Sequence, residues 1–308
     1  MKHISVLKEE IIYWLEPEKR KRILDGTLGL GGHAKALLEK SKAELVGIDL
    51  DRDALKEAEK NLSAFQKRVY LFQGNYVDFE YFLKVVGWSK IDGVILDLGV
   101  SSLQLDDPSK GFSFLKPGPL DMRMNKDMGE SAFHLVNRAS FERLKTIIRE
   151  YGEEPLAGRI ARFIVDRRSK KSIETTLELA KIVEEAYPIK RRRKSRNHPA
   201  TKTFQALRIA VNKELDSLEY FLKKIVRYLT PGGRIAIISF HSLEDRIVKN
   251  FFKQEAKDCI CPPEVMICNC QHKATLKILT RKPIVPKDSE KEFNKRSRSA
   301  KLRVAERI

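Results

Sequence analysis

A chain of 308 residues that is 42% apolar can build a full hydrophobic core in one or two domains, which excludes an intrinsically disordered chain. No apolar stretch approaches the ~20 residues of a membrane-spanning helix, and the first residues are charged without a signal-peptide core, so the expected location is the cytoplasm with no membrane partner. Lys and Arg number 60 against 42 Asp and Glu, and a net charge of +18 points to a polyanionic partner, most simply nucleic acid; heat adaptation explains charges of both signs but not this excess.

Short β-type runs alternate with helical patterns along the chain. "RILD" (22–25) reads as the first strand, followed by glycines at 26, 29, 31 and 32 and a helix over about 32–40. "ELVGIDLD" (44–51) is the second strand, 52–65 a helix, "RVYLFQG" (68–74) the third strand and "IDGVILDLG" (91–99) the fourth. A long amphipathic helix over about 203–229 should stop at Pro231-Gly232-Gly233, before a fifth strand at 233–240. "TLKILTRKPIVP" (275–286) and "SAKLRVAERI" (299–308) read as two more. Four continuous apolar runs with helices between them predict an α/β fold around a parallel sheet covered on both faces.

Between Leu98 and Arg234 lie 135 residues, where one helix and two loops need a few tens. The surplus carries helical patterns at 140–152, 156–168 and 175–187. It predicts a helical domain at 109–205 inserted into an α/β core made of 1–108 and 206–308. An insert at this edge lies beside the carboxyl ends of the strands, where it can help to form a substrate site.

"GLGGHA" (29–34) fits the dinucleotide fingerprint G-x-G-x-x-G/A, and Asp49 lies 20 residues after Gly29, where that fingerprint wants a ribose-binding acid. A nicotinamide cofactor and an oxidoreductase are therefore one reading. Asp25, just before the turn, favours another. A pyrophosphate would be repelled by a carboxylate there, whereas the sulfonium and ammonium groups of S-adenosylmethionine would be attracted. Asp25 as a turn acid satisfied locally is the blander alternative.

The stretches "DGTLGLGGHAKALL", "GIDLDRDAL", "DGVILDLGVSSLQLDDPSKGFSF", "GPLDMRM", "NHPATKTFQALRIAVNKEL", "ISFHSLEDRIVKNFF" and "RSRSAKLRVAERI" occur in that order. Together they closely resemble the bacterial ribosomal RNA small subunit methyltransferase H family, also called MraW, essentially from Lys2 to Ile308. The resemblance implies a class I, Rossmann-like methyltransferase core with a helical insert, and methylation of the exocyclic N4 of a cytosine in the decoding region of 16S rRNA. It implies S-adenosylmethionine as cofactor, with the small ribosomal subunit or a late assembly intermediate as partner. It places Gly31, Gly32 and His33 along the methionine part, Asp49 on the ribose and Tyr76 beside the adenine, with Asp97 and Gln104 completing the set.

Methyl transfer to nitrogen is an in-line displacement in which the protein supplies alignment and electrostatics. Cytosine N4 is a poor nucleophile because its lone pair is delocalised, and an acceptor on its N–H would help. Asp97, at the end of the fourth strand, is a candidate for that role or for cofactor contact. His241, in "SFHSLEDR", could accept the proton, contact the nucleotide or be a satisfied structural histidine. Asp245 with Arg246, and Asp121 with Arg123, are pairs of similar ambiguity. Phe112, Phe114 and Phe240 are candidates to stack the base, or core residues. Cytosine-C5 chemistry needs a thiolate near the reacting ring, and all four cysteines lie elsewhere, at 259, 261, 268 and 270. The spacing of Cys259, Cys261, Cys268 and Cys270 leaves open a structural zinc site, reduced thiols or a stabilising disulfide.

On the substrate side, "IKRRRKSRNHPATK" places six basic residues in 190–196, and Arg191, Arg192, Arg193, Lys194 and Arg196 are candidate phosphate contacts. Lys295, Arg296, Arg298, Lys301 and Arg303 form a second cluster. A target base would have to be unpaired or flipped, which suits structured RNA. DNA methylation, or a ribosome-assembly factor without turnover, are the further readings.

Overall fold

A computed structural model describes residues 5–308 apart from 128, 195–197, 263 and 266. The chain forms two compact units, one of residues 1–99 with 215–308 and one of residues 100–214. The second unit is wider at both ends than the expected 109–205.

The first unit holds a seven-stranded sheet: β1 (Arg22–Asp25), β2 (Glu44–Asp49), β3 (Val69–Gln73), β4 (Ile91–Asp97), β5 (Leu229–Ser239), β6 (Leu276–Ile278) and β7 (Lys301–Arg307). The strand order is β3-β2-β1-β4-β5-β7-β6. β1 to β5 are mutually parallel, in line with the parallel sheet predicted from four continuous apolar runs. β7 is antiparallel to β5, and β6 is antiparallel to β7. Alternate residues of the strands face opposite layers. Leu24, Val46, Val94 and Ile235 pack with Phe79 and Phe221 on one face. Ile23, Leu45, Ile95 and Ala236 pack with Leu37 and Ala58 on the other. The helices Gly32–Glu39 and Arg52–Asn61 and the helix Phe79–Val85 arise where the period changes from 2 to 3.6, and each buries only its apolar stripe.

The second unit is helical. The helices Ala132–Arg138, Phe141–Glu150, Ala157–Arg168, Thr176–Ala186 and Ala200–Asn212 close around Leu135, Ile148, Ile160, Ile164, Val183 and Leu207. Ser131, Ser140 and Thr175 cap three of them with side-chain acceptors. At the other end of Ala132–Arg138, Arg168 donates to the free carbonyls of Val136 and Ala139.

Three local expectations change. The helix expected over 203–229 is two helices, Ala200–Asn212 and Glu214–Ile225, parted by Lys213 in left-handed backbone with φ 51°. Pro231-Gly232-Gly233 lies inside β5 rather than before it. Ile91 of β4 pairs with Leu229 and Gly93 with Arg234, so the intervening residues of β5 bulge out of register. At the carboxyl end, the segment 275–286 supplies only β6 and one bridge, Ile284 to Leu302. No helix of the described residues is long and apolar enough to cross a membrane.

Candidate functional site

Asp25, Asp49 and Asp97 are the last residues of β1, β2 and β4. β1 lies between β2 and β4, and the chain order reverses there, so these acids border the crevice where open α/β sheets take ligands. The residues after β1 form the glycine-rich turn. Gly29 and Gly31 have φ of 54° and 76°, which disfavours a side chain. Gly32 opens the helix, and a Cβ on it would lie 2.1 Å from Ser5 Oγ. Backbone bonds fasten the turn to both neighbouring strands: Gly26 N–H to the Ile95 carbonyl at 3.1 Å, and Leu28 N–H to the Ile48 carbonyl at 3.0 Å.

Asp49 has a task in the fold that its spacing alone does not reveal. Its Oδ2 accepts from Gly29 N–H at 2.7 Å and its Oδ1 from Asp51 N–H at 2.8 Å. It therefore helps to set the shape of the turn. Thr27 is a residue the sequence reading missed. Its Oγ1 accepts from Asp97 N–H at 2.6 Å, and its N–H donates to Asp25 Oδ1 at 3.2 Å. A hydroxyl two residues after an acid and inside a glycine turn was the available signal, but its partner lies 70 residues on.

Asp25, His33 and Asp97 form a polar cluster in which Asp25 and His33 are buried and Asp97 is half-buried. Asp25 is 2% exposed. Burial pushes its pKa up to about 7, with His33 and the Thr27 N–H opposing the rise and the Asp97 and Asp49 carboxylates adding to it. His33 Nε2 lies 3.5 Å from Asp97 Oδ2. Among the described residues, neither ring nitrogen of His33 nor Asp97 Oδ1 has a hydrogen-bond partner, although all three are buried. Buried polar atoms left open in this way are uncommon, and a cluster of them at a strand-end crevice is a candidate ligand position. Tyr76 follows β3 in a short turn that Asn75 caps by accepting from Val77 N–H at 3.1 Å. Its ring is half-buried and meets Phe221 edge to face with centroids 5.3 Å apart.

The model of the MraW methylase family matches residues 1–308. The chain belongs to the MraW methylase family. Ribosomal RNA small subunit methyltransferase H of Lawsonia intracellularis is 54% identical over 309 residues, covering 99% of each chain. The protein of the same name from Oleidesulfovibrio alaskensis is 54% identical, over 99% of this chain and 95% of its own. Among solved structures, an rRNA methylase from Streptococcus thermophilus superposes with a TM-score of 0.44 at 10% identity, over 100% of this chain and 99% of that one. The core of this MraW methylase is the α/β sheet with five parallel strands described above.

The remaining candidates of this MraW chain divide between open and structural positions. Gln104 belongs to the second unit and is buried; its Oε1 accepts from Ser101 N–H at 3.0 Å. His241 caps the helix Ser242–Glu255. Its Nδ1 accepts from Glu244 N–H at 3.4 Å, and its Nε2 lies 3.1 Å from Glu244 Oε1. Glu244 reciprocates by accepting from Phe240 N–H at 2.8 Å and His241 N–H at 3.3 Å. Much of "SFHSLEDR" is thus a strand-to-helix junction built to hold itself. Asp121 and Arg123 do pair with each other, through two bonds of 2.7 and 3.0 Å. Asp245 instead reaches β7: Arg303 Nε at 2.6 Å and Lys301 Nζ at 3.4 Å. Arg303 is 6% exposed, so it leaves the set of candidate phosphate contacts. Phe112 is core in the second unit, and Phe114 packs there between Phe204 and His198. Phe240 is half-buried and packs beside the core of the first unit.

Of the basic run, Arg191 is exposed on the helix Ile189–Lys194, and Arg192 pairs with Glu184 at 3.1 Å. Arg193 and Lys194 belong to the same helix, and Arg196 lies outside the described residues. Lys295, Arg296 and Arg298 are exposed in the other unit. The four cysteines come together: each sulfur lies within 4.8 Å of the others.

Proposed function

We propose that this protein methylates the exocyclic N4 of a cytosine in the decoding region of 16S rRNA, with S-adenosylmethionine as methyl donor. The observation that carries this reading is the Asp25–His33–Asp97 cluster beside the glycine turn, in a chain 54% identical to proteins named as small-subunit rRNA methyltransferases. The residues fit that cofactor. Asp25 offers a carboxylate to the cationic end, Gly29 and Gly31 allow backbone to approach, Asp49 brings a carboxylate to the end of β2 for a ribose, and Tyr76 offers an aromatic ring for the base. The buried Asp25 also speaks against a dinucleotide, whose pyrophosphate it would repel.

When bound, S-adenosylmethionine supplies an electrophilic methyl group on a sulfonium. The chain's own groups supply the rest. Asp97 accepts the N4–H of the incoming cytosine through its open Oδ1, which concentrates the lone pair on nitrogen and gives the departing proton a destination. Thr27 fixes the Asp97 backbone, and His33 borders the other carboxylate oxygen. His241 caps the helix after β5, and its buried Nε2, without a hydrogen-bond partner among the described residues, keeps it as the alternative proton acceptor. The second unit carries the basic helix and serves as the RNA-recognition part. The substrate is the small ribosomal subunit or a late assembly intermediate, and the cytoplasm is where it is met.

The test incubates purified protein, labelled S-adenosylmethionine and small subunits lacking the modification, then identifies the labelled nucleoside. N4-methylcytidine is expected. Asp97→Ala should lower kcat by about 100-fold or more while cofactor affinity changes by less than roughly tenfold. Label at C5, on a ribose or on protein would overturn the chemistry. Cofactor binding without transfer to any assembly stage would favour a binding factor instead.

A further inference from the structure

We propose that Cys259, Cys261, Cys268 and Cys270 bind a single zinc ion, which folds the segment between the helix Ser242–Glu255 and β6. Zinc–sulfur bonds are about 2.3 Å, so the edges of a tetrahedral four-sulfur site are about 3.8 Å. Three of the sulfur pairs here are separated by 3.6 Å (Cys268–Cys270), 3.8 Å (Cys259–Cys270) and 4.0 Å (Cys261–Cys268). All four sulfurs lie within 4.8 Å of one another, which encloses one ion and is too close for a cluster of several. Disulfide sulfurs stand about 2.0 Å apart, and none of these pairs approaches that. Two Cys-x-Cys pairs, facing each other across a six-residue span, supply the ligands two and two.

Between Glu255 and Leu276 the described residues form no helix or strand. Its apolar side chains do not make a core: Ile260, Val265 and Ile267 are 39%, 38% and 83% exposed. The base of the loop is pinned, with Thr275 N–H on the Glu255 carbonyl at 2.7 Å and Ala274 N–H on Asp258 Oδ1 at 3.3 Å. Beyond that base, the convergence of the cysteines is the organising feature. Small segments without a core are typically held by metal or disulfide. The polar surroundings suit thiolates: Ile260 N–H points at Cys270 Sγ at 3.5 Å. Four soft sulfur ligands in this geometry select zinc among the common divalent ions. Binding exchanges four S–H bonds for four S–Zn bonds and releases the protons to solvent.

The test uses the full chain, purified under reducing conditions without chelator. Elemental analysis should give about one zinc per chain, absent from a Cys259→Ser/Cys268→Ser variant. Cobalt(II) added to the metal-stripped wild-type chain should give the intense visible bands and the sulfur-to-cobalt absorption of a tetrahedral thiolate site. Stripping the metal should speed tryptic cleavage at Lys257 or Lys273 by about tenfold or more, restored by zinc alone. A chain with free thiols that takes up neither zinc nor cobalt overturns the proposal. So does an intact mass short by the hydrogens of two disulfides. Iron in place of zinc overturns the ion assignment. None of these readouts depends on methyl transfer, so the site stands or falls independently of the proposed reaction.

Discussion

Asp25 is the residue whose charge is most open to control. Its pKa is pushed up to about 7 by burial, against an ordinary value of 3.8. A folded-state pKa above the unfolded one gives stability that is fully present at low pH and is lost as pH rises through about 7. Ligand-free protein should therefore lose stability between about pH 4 and pH 7, and Asp25→Asn should remove most of that slope, raising stability at pH 8 by roughly 1–4 kcal/mol. Affinity for S-adenosylmethionine should run the other way. A cationic ligand needs the carboxylate, so the wild-type Kd should fall as pH rises from about 5.5 to 7.5, and Asp25→Asn should bind at least about tenfold more weakly at pH 7.5 with little pH dependence. Thermal denaturation and calorimetry over the same pH series measure both. A variant that is more stable yet binds as well as wild type would show that Asp25 faces no cation. At this scale the sequence placed Asp25 by its position before the glycine turn and Asp49 by its spacing from Gly29, while Asp97 came with the family resemblance. It could not show that Thr27 ties Asp97, because that bond joins residues remote in the chain, nor that Asp25 is buried.

At the scale of elements, local pattern carried strand existence well and direction poorly. The five parallel strands have continuous apolar runs, and their limits fall within a few residues of expectation except at β5. The antiparallel placement of β7 follows from tertiary pairing with β5, which periodicity does not encode. The break at Lys213 was illegible because neither glycine nor proline marks it. The same limit explains Arg303, whose charge reads as a phosphate contact and whose position makes it a strut from β7 to the helix Ser242–Glu255. Arg303 and Lys301 hold the Asp245 carboxyl below its ordinary range against the desolvation that would raise it. Removing one partner of such a buried pair strands the other. Arg303→Ala should cost about 3–5 kcal/mol, and Asp245→Asn with Arg303→Met should recover part of that loss. A folded pKa below the unfolded one means that this contribution holds at neutral pH and fades as pH falls through the folded value. Chemical denaturation of the single and double variants at pH 7 and at about pH 3.5 checks both the coupling and its sign.

For the whole molecule, a charge of +18 matters through which cations remain free to meet phosphate. Several are committed: Arg303 to Asp245, Arg192 to Glu184, Arg167 to Glu185 and Arg168 to helix carbonyls. Net charge therefore does not locate the RNA footprint, and exposed positions such as Lys190, Arg191, Lys295 and Arg298 define where to look. Phosphate binding has a signature that structural ion pairs lack. Removing one phosphate-binding cation lowers the slope of log affinity against log salt by about 0.7–0.9. Lys190→Ala with Arg191→Ala should weaken subunit binding by about tenfold at low salt, with a flatter salt dependence and unchanged kcat at saturating substrate. Lys295→Ala with Arg298→Ala gives the same measurement on the other unit. Flattening in both pairs would mean that each unit binds phosphates of one RNA substrate. Flattening in the first alone would assign recognition to the helical unit. An affinity loss that is constant across salt concentrations would show that the helix Ile189–Lys194 acts through its fold rather than its charge.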